Sequence, residues 1–311
     1  MQKENKRTEN NLKTTKTTDY KSTTSSFSTE GEDDYSDPEL EDEIEESDNI
    51  MTFEEYFHVM PKWSVQVYLT ALEQETTILK SSEAFLHTQC QITPSKREIV
   101  VKWLIQINYH FKFPSDTLYN AVTYLDICLS KINIPKKEMR LYATACYRIS
   151  AKVDTRLQPS VEQLKAVTWK EFDEEKLSEI ENIVIRELSF NLSYPTSKFF
   201  MRFYLDIGNS TPETNQFANI FTELALMKFE FFDQRPSIIA AASVILTFDA
   251  AGNHDGAFRV VRFIGDSSTK EITKCILCFE DYVMRLRNQA SGKNNIFDSL
   301  RIPIDCNKLF K

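Results

Sequence analysis

The stretch LYATACYRISAK, residues 141–152, combines small and apolar side chains with no Gly or Pro, a pattern typical of a helix inside a protein core. A second such stretch, PSIIAAASVILTFDAAG, starts at Pro236, and proline suits the first position of a helix. Small side chains let the surrounding helices approach closely on every side. The two alanine-rich centres lie about 97 residues apart, and this offset predicts two helical bundles of nearly equal length.

The remaining pattern favours helices throughout. The chain holds only 6 Gly and shows no alternation of apolar and polar residues that would indicate a strand. Ser95, followed three residues later by Glu98, predicts a capping box at the start of one helix. We therefore predict an all-α fold of two tandem five-helix bundles after a disordered acidic tail. The predicted segments are a tail (1–49), an N-terminal helical segment (50–92), the first bundle (93–192), the second bundle (193–290) and a C-terminal extension (291–311).

The excess of acidic over basic residues is confined to the N-terminal tail. Residues 1–50 carry 6 of the 37 Lys and Arg and 15 of the 46 Asp and Glu, so the tail accounts for the formal net charge of −9. Its isolated apolar residues cannot bury enough surface to offset the entropy of ordering, which predicts disorder. The balanced remainder argues against nucleic-acid binding, which needs a basic face. No apolar run is long enough to predict a membrane span.

The six Cys residues fall mostly within helical apolar patterns. No apolar signal segment precedes them, so we expect reduced thiols in an intracellular protein of the nucleus, the cytoplasm or both. Cys275 and Cys278 form a C-x-x-C pair, but no second Cys pair or nearby His completes a zinc site. We expect both thiols to lie in the core, with no metal and no cofactor.

Two charged residues occur on apolar helix faces. Lys152 lies seven residues after Ala145, and Glu181 lies four residues after Leu177 on a later helix. Burial of a lone charge is costly, whereas a paired charge is tolerated, so the two residues are predicted to form an ion pair. The pattern alone leaves two interpretations open. The pair is either a structural contact at the rim of the core or a docking element for another protein.

Several motifs then match a known family in order and with its spacing, from about residue 60 to about residue 290. They are KREIVVKWLIQI, LYNAVTYLDICLS, ATACYRISAKVDTRLQPSV and ENIVIRELSFNLSYPTSKFF. Together they resemble the cyclins, and the pattern is similar to that of the mitotic A/B type. The resemblance implies that the bundles are two cyclin boxes. It also implies a non-enzymatic regulatory subunit that binds and activates a cyclin-dependent protein kinase in the cell cycle.

The resemblance further implies which residues contact the kinase. In the family, the lysine and glutamate at the places of Lys152 and Glu181 bridge the cyclin to the kinase, which favours the docking interpretation. Phe190 matches a residue that fills a hydrophobic spot on the kinase, and Ile185 matches an apolar neighbour on the same surface. The stretch SVQVYL resembles the family's helix before the first box, which places Val65 and Tyr68 in contact positions.

Two further sets of residues match the family. Arg97 and Asp126 occupy places where the family joins the first two helices of the box, which implies a structural, charge-assisted bond. In the tail, Lys3, Glu4 and Asn5 form the tripeptide KEN, which resembles a recognition signal for a cell-cycle ubiquitin ligase. Chance occurrence in a tail rich in Lys, Glu and Asn is the alternative.

The sequence departs from the family at two surfaces. The family's K-F-E-E sequence is KVDT here, with Val153 and Thr155 in place of an aromatic residue and an acid, so the partner kinase is expected to differ from the usual one. The family's docking groove for Arg-x-Leu peptides retains an apolar floor at Ile99, Val100 and Trp103. However, its other expected positions are altered, with Lys96 in place of a methionine, Gln106 in place of an acid and Arg140 in place of a glutamine. We expect this degraded groove to bind such peptides weakly, because a base replaces an acceptor for the peptide arginine.

Two other functions compete with kinase activation. One is a cyclin-fold adaptor in transcription that activates no kinase, and the predicted Lys152–Glu181 pair argues against it. The other is an all-helical enzyme. The four His residues show no metal-ligand spacing, and the chain holds no glycine-rich phosphate loop or nucleophile elbow.

Overall fold

A computed structural model describes residues 62–78, 80–155, 159–168, 173–265 and 268–289. Across these residues it contains twelve α-helices, one short 3-10 helix at Phe229–Phe231 and no strand, so the predicted all-α fold is confirmed. The helices are α1 (Lys62–Glu75), α2 (Ser82–Thr88), α3 (Pro94–Phe111), α4 (Ser115–Lys131), α5 (Met139–Asp154), α6 (Val161–Thr168), α7 (Glu174–Glu187), α8 (Ser197–Ile207), α9 (Pro212–Met227), α10 (Pro236–Ala250), α11 (His254–Ile264) and α12 (Thr269–Gln289). The predicted tail and C-terminal extension lie outside the described residues.

The helices form two bundles of five, α3–α7 and α8–α12. In the first bundle α5 packs against α4 and α7, and in the second α10 packs against α8, α9, α11 and α12. The alanines at the centres of both quoted stretches are fully buried, including Ala143 and Ala145 on α5 and Ala241 on α10. This confirms the prediction that small residues allow each of these helices to lie at the centre of its bundle.

The start of α3 differs from the predicted capping box. Thr93, not Ser95, is the N-cap, and its side chain accepts a hydrogen bond from the amide of Lys96, while Pro94 occupies the first turn. Glu98 instead contacts the second bundle, where its carboxylate lies 2.7 Å from Nζ of Lys228. The physical reason is that the Thr-Pro pair starts the helix two residues earlier, so Glu98 lies within the helix, where it can reach a partner across the bundle interface.

A buried arginine also joins the two bundles. Arg97 is 2% exposed, and its guanidinium donates to both carboxylate oxygens of Asp126 on α4, at 2.9 and 2.7 Å. The predicted pair is therefore present, in bidentate geometry. A third donor of Arg97 lies 2.8 Å from the carbonyl oxygen of Met227, the last residue of α9 in the second bundle. One side chain thus fixes two helices of the first bundle against the end of a helix in the second.

Helix α1 packs on the second bundle, although it precedes the first in sequence. At its middle, the hydroxyl of Tyr68 lies 3.1 Å from that of Tyr204 on α8. At its end, the carboxylate of Glu75 accepts hydrogen bonds from the amide of Ser237, at 2.9 Å, and from its hydroxyl, at 2.7 Å. Glu75 thereby satisfies amide and hydroxyl donors in the first turn of α10, where the helix dipole favours an anion.

A buried acid lies at a further contact between the bundles. Glu223 on α9 is 8% exposed, and both of its carboxylate oxygens lie 3.3 Å from the hydroxyl of Tyr109 on α3, which donates to them. Burial raises the pKa of Glu223 to about 7, and the nearby cation of Lys198 offsets only part of this effect.

We expect Arg97→Met to lower the free energy of unfolding by about 3–5 kcal/mol, because it leaves the buried carboxylate of Asp126 without its cation. Arg202→Met is the matched control. Arg202 pairs with Asp116 in a bidentate geometry too, but its side chain is 53% exposed, so the expected loss is about 0–1 kcal/mol. Urea denaturation of both variants decides the point, and equal losses would contradict the proposed role of Arg97.

We expect Glu223 to make the protein less stable as the pH rises from about 4.5 to about 7. Its pKa is higher in the folded than in the unfolded chain, so the folded state binds more protons in this range and the free energy of unfolding falls with pH. Glu223→Gln should remove that fall, whereas Glu213→Gln, at an exposed position of α9, should keep it. Urea denaturation at about pH 5 and about pH 8 measures the difference, and an unchanged pH dependence in Glu223→Gln would refute it.

Candidate functional site

The predicted pair between Lys152 and Glu181 is present at the edge of the first bundle. Nζ of Lys152, in the last turn of α5, donates to Oε2 of Glu181 on α7 over 2.7 Å. The side chain of Glu181 is 9% exposed and that of Lys152 is 38% exposed. The interpretation of Lys152 as a residue on the buried face is therefore wrong. The lysine reaches out from the end of α5 and covers the buried acid, so two of its three N–H donors remain for another partner.

A second base joins this pair, and the sequence-based prediction did not include it. Arg148 lies one turn before Lys152, with its NH1 3.6 Å from Oε1 of Glu181 and its NH2 3.6 Å from Oε1 of Glu174. Nε and NH1 of Arg148 and Oε1 of Glu181 are buried, and they make no hydrogen bond within the described part of the chain. The four-residue spacing of the two bases was the available signal, because such residues share one helix face.

Phe190 follows α7, and its aromatic ring is exposed to solvent. The residue is 76% exposed, and both Ser189 and Phe190 have positive φ, at 53° and 60°. The backbone is held in this conformation by the amide of Phe190, which donates to the carbonyl of Ile185 over 3.0 Å. A left-handed conformation costs about 1–2 kcal/mol for a residue other than glycine. The backbone is thus strained at this turn, and a large apolar ring is left exposed.

We name Lys152, Val153, Glu181, Ile185 and Phe190 the docking surface. Val153 neighbours Lys152 and is 52% exposed, whereas Ile185, one turn beyond Glu181, is half-buried. Helices α5 and α7 pack against each other. The Lys152–Glu181 bond therefore joins the helix that carries Val153 to the helix that carries Ile185. Exposed apolar side chains beside a charged pair with spare hydrogen-bonding atoms are suited to binding a protein.

The predicted contact positions on α1 need a correction. Val65 is half-buried, but Tyr68 is only 7% exposed and packs among the aromatic rings of the second bundle. It is therefore a core residue and offers no surface to a partner. The neighbouring Val67 and Leu69, at 42% and 47% exposed, are the apolar residues that α1 presents to solvent. The residue that the resemblance selected, Tyr68, thus lies on the buried face of the helix, one position from each of two exposed apolar residues.

A groove lies at the place predicted for the peptide groove, and its lining differs in part from the predicted one. It has a volume of about 730 Å³ and is lined by Gln91, Lys96, Ile99, Val100, Pro135, Lys136, Lys137, Met139 and Arg140. Trp103 and Gln106 do not line it, which corrects their assignment to the groove. Trp103 lies beside it instead, because the guanidinium of Arg140 covers the indole ring at 5.8 Å from its centroid. We name this site the basic groove.

The remaining predictions concern a metal site, a membrane span, the thiols and the degradation signal. Among the described residues, no group of three or more His, Cys, Asp or Glu could hold a metal ion, and no helix is long and apolar enough to cross a membrane. Cys275 is buried, and burial raises the pKa of its thiol to about 12. Lys3, Glu4 and Asn5 lie outside the described residues, so their role as a degradation signal stays a prediction.

Family models agree with the two-bundle architecture. The model of the cyclin N-terminal domain matches residues 66–193, and that of the cyclin C-terminal domain matches residues 195–299. Together these two matches cover most of the chain.

Curated relatives are A- and B-type cyclins. Mouse G2/mitotic-specific cyclin-B3 is 28% identical over 179 residues, which are 58% of this chain and 12% of that protein. The G2/mitotic-specific cyclin-A of Hydra viridissima is 30% identical over 176 residues, which are 53% of this chain and 42% of that protein. Human cyclin-A1 is 28% identical over 193 residues, which are 62% of this chain and 41% of that protein. The matched region thus spans less than half the length of these relatives.

A solved structure shares the fold. The viral cyclin from Herpesvirus saimiri matches with a TM-score of 0.58 and 18% identity, over 70% of this chain and 96% of the viral chain.

We expect Phe190→Gly to raise the free energy of unfolding by up to about 1 kcal/mol, because glycine relieves the left-handed backbone and no buried contact is lost. Phe258→Gly is the matched control. Phe258 is likewise 64% exposed but lies within α11, where glycine should lower the free energy of unfolding by about 0.5–1 kcal/mol. Urea denaturation compares the two variants. Equal destabilisation would show that Phe190 serves folding rather than a partner.

Proposed function

Because the chain belongs to the cyclin family, we propose that it binds and activates a cyclin-dependent serine/threonine protein kinase in control of the cell cycle, within the nucleus or cytoplasm. The observation that carries the proposal is the exposed ring of Phe190 on a strained backbone, beside the Lys152–Glu181 pair. The strain at this residue costs free energy in the folded chain, and burial of the exposed ring against a partner would provide a favourable contribution.

The docking surface combines the two components that a specific interface needs. Phe190 supplies an apolar anchor, whose full burial contributes about 1.5–3 kcal/mol. Lys152 is partly exposed and retains two N–H donors, whereas the atoms of Arg148 and Glu181 that make no hydrogen bond within the described residues are buried. Backbone carbonyls of a kinase helix would accept hydrogen bonds from Lys152, which fixes the orientation of that helix.

Activation then follows from binding alone. The chain would supply no catalytic group, because phosphoryl transfer depends on kinase residues that a helix of the catalytic lobe must bring into place. A cyclin that binds the active position of that helix more tightly than the inactive one shifts the population toward activity. The altered positions Val153 and Thr155 lie at the end of α5 and next to it, so they are suited to influence which kinase binds.

We expect Phe190→Ala to weaken kinase binding by about thirtyfold, because an aromatic anchor at the centre of an interface contributes about 2 kcal/mol. Lys152→Ala should weaken it by about tenfold or more. Each variant has a matched control elsewhere on the surface. Phe258→Ala removes another exposed ring, and Lys176→Ala removes another exposed lysine, whose Nζ lies 3.1 Å from Glu138.

Calorimetric titration against a panel of purified cyclin-dependent kinases measures affinity, and phosphate transfer to a serine/threonine peptide measures activation. Circular dichroism of each variant shows whether it is folded. Tight binding without activation would favour the alternative of a cyclin-fold adaptor in transcription. If folded Phe190→Ala and Lys152→Ala bind as tightly as their controls, the docking surface has been assigned to the wrong place.

A further inference from the structure

The basic groove combines an apolar floor with an unbalanced set of charges. Four of its nine lining residues are bases, namely Lys96, Lys136, Lys137 and Arg140, and none is an acid. The acid nearest in sequence, Glu138, forms an ion pair with Lys176 on α7 and does not line the groove. The groove is thus strongly basic, although the chain outside the tail has balanced charge.

Hydrogen bonds hold the groove open in a defined shape. The carbonyl oxygen of Gln91 accepts from Nζ of Lys96 over 2.6 Å, and its side-chain Oε1 accepts from the amide of Lys136 over 3.2 Å. Gln91 therefore links the start of α3 to the turn before α5. The guanidinium of Arg140 lies over the indole ring of Trp103, 5.8 Å from its centroid, and this cation–π contact favours one position of the side chain. A site whose walls are set before binding loses less entropy when a ligand is bound.

The floor provides a place for an aliphatic side chain. Ile99 is 60% exposed, an unusual degree for isoleucine, and it lies beside the buried Val100 and Met139. The volume of about 730 Å³ accommodates a short extended segment rather than a single side chain. Bases surround this floor, so a segment that seats a leucine or isoleucine there brings its neighbouring residues next to lysine and arginine side chains.

We propose that the basic groove binds a short acidic peptide segment of a partner protein, with one aliphatic residue on the floor and flanking Asp or Glu residues against its bases, above all Lys136 and Arg140. Charge complementarity carries the choice of occupant, because acidic residues are attracted and an arginine in the same place is repelled. The basic groove would therefore select peptides whose charge is opposite to that of an Arg-x-Leu motif. This interaction goes beyond the proposed function, since it requires no kinase.

The test uses the full chain without kinase and fluorescence anisotropy of three labelled peptides of equal length. The first holds one leucine flanked by Glu and Asp, the second replaces that leucine with serine, and the third holds an Arg-x-Leu motif. We expect the acidic peptide to bind about tenfold tighter than either of the others. We also expect its affinity to fall as salt is raised, because the contacting charges are screened.

Charge reversal in the protein provides the second arm. Lys136→Glu combined with Arg140→Glu should weaken the acidic peptide by about tenfold or more and strengthen the Arg-x-Leu peptide. The control with the same change in charge is Lys270→Glu combined with Lys274→Glu, at exposed positions of α12, and it should leave both affinities within about twofold. Circular dichroism establishes that both variants are folded.

Three results would overturn the proposal. The first is an Arg-x-Leu peptide that binds as tightly as the acidic one, and the second is an equal loss of acidic-peptide affinity in the control variant. The third is equal binding of the leucine and serine peptides, which would show attraction by charge without a seat for the aliphatic residue. None of these results bears on kinase binding, which depends on the separate docking surface.

Discussion

The structure depends on the buried guanidinium of Arg97. It binds Asp126 through two hydrogen bonds and the last carbonyl of α9 through a third, so a single charge is satisfied by groups from both bundles. A buried cation without such partners would destabilise the chain, and this requirement makes the relative position of α3, α4 and α9 specific. Apolar contacts alone tolerate sliding, whereas three directional bonds at 2.7–2.9 Å do not.

Fixing the bundles also fixes the segment between them, where the docking surface ends. The carbonyl of Leu192, just beyond Phe190, accepts a hydrogen bond from the buried Tyr124 over 2.7 Å. The carbonyl of Glu187, just before it, accepts one from Lys131 on the same helix, α4. Both ends of the turn are therefore anchored to α4. This explains how two consecutive residues retain positive φ, since strain persists where the surrounding structure determines the backbone.

Sequence periodicity was sufficient for the architecture because the pattern of small and apolar residues that drives burial is a property of each helix on its own. Ala143 and Ala241 could be placed at bundle centres without knowledge of their neighbours. The start of the short helix α11 was not assigned from the sequence, because its N-cap Asn253 is recognised in the structure by the bond that its side chain accepts from the amide of Gly256. Local pattern therefore predicts well which helices are central and less well where short peripheral ones begin.

The site was predictable only in part, for a related reason. The pairing of Lys152 with Glu181 followed from the cost of burying a charge, but the identity of the exposed member depended on the end of α5. A single residue separated the buried Tyr68 from the exposed Val67, and helical rotation of about 100° per residue makes that difference decisive. Tertiary packing determines which side chains remain accessible to solvent. The spacing of residues along one helix does not carry this information.

Both candidate binding surfaces contain apolar side chains that the fold leaves exposed to water. At the docking surface, the ring of Phe190 is 76% exposed beside the Lys152–Glu181 pair. In the basic groove, Ile99 is 60% exposed among basic lining residues. Each surface therefore combines apolar area in contact with water and charged groups of one kind or a charged pair at its edge. A partner that covers either surface removes that apolar area from water, and this contribution stabilises the complex without requiring any change in the core of the chain.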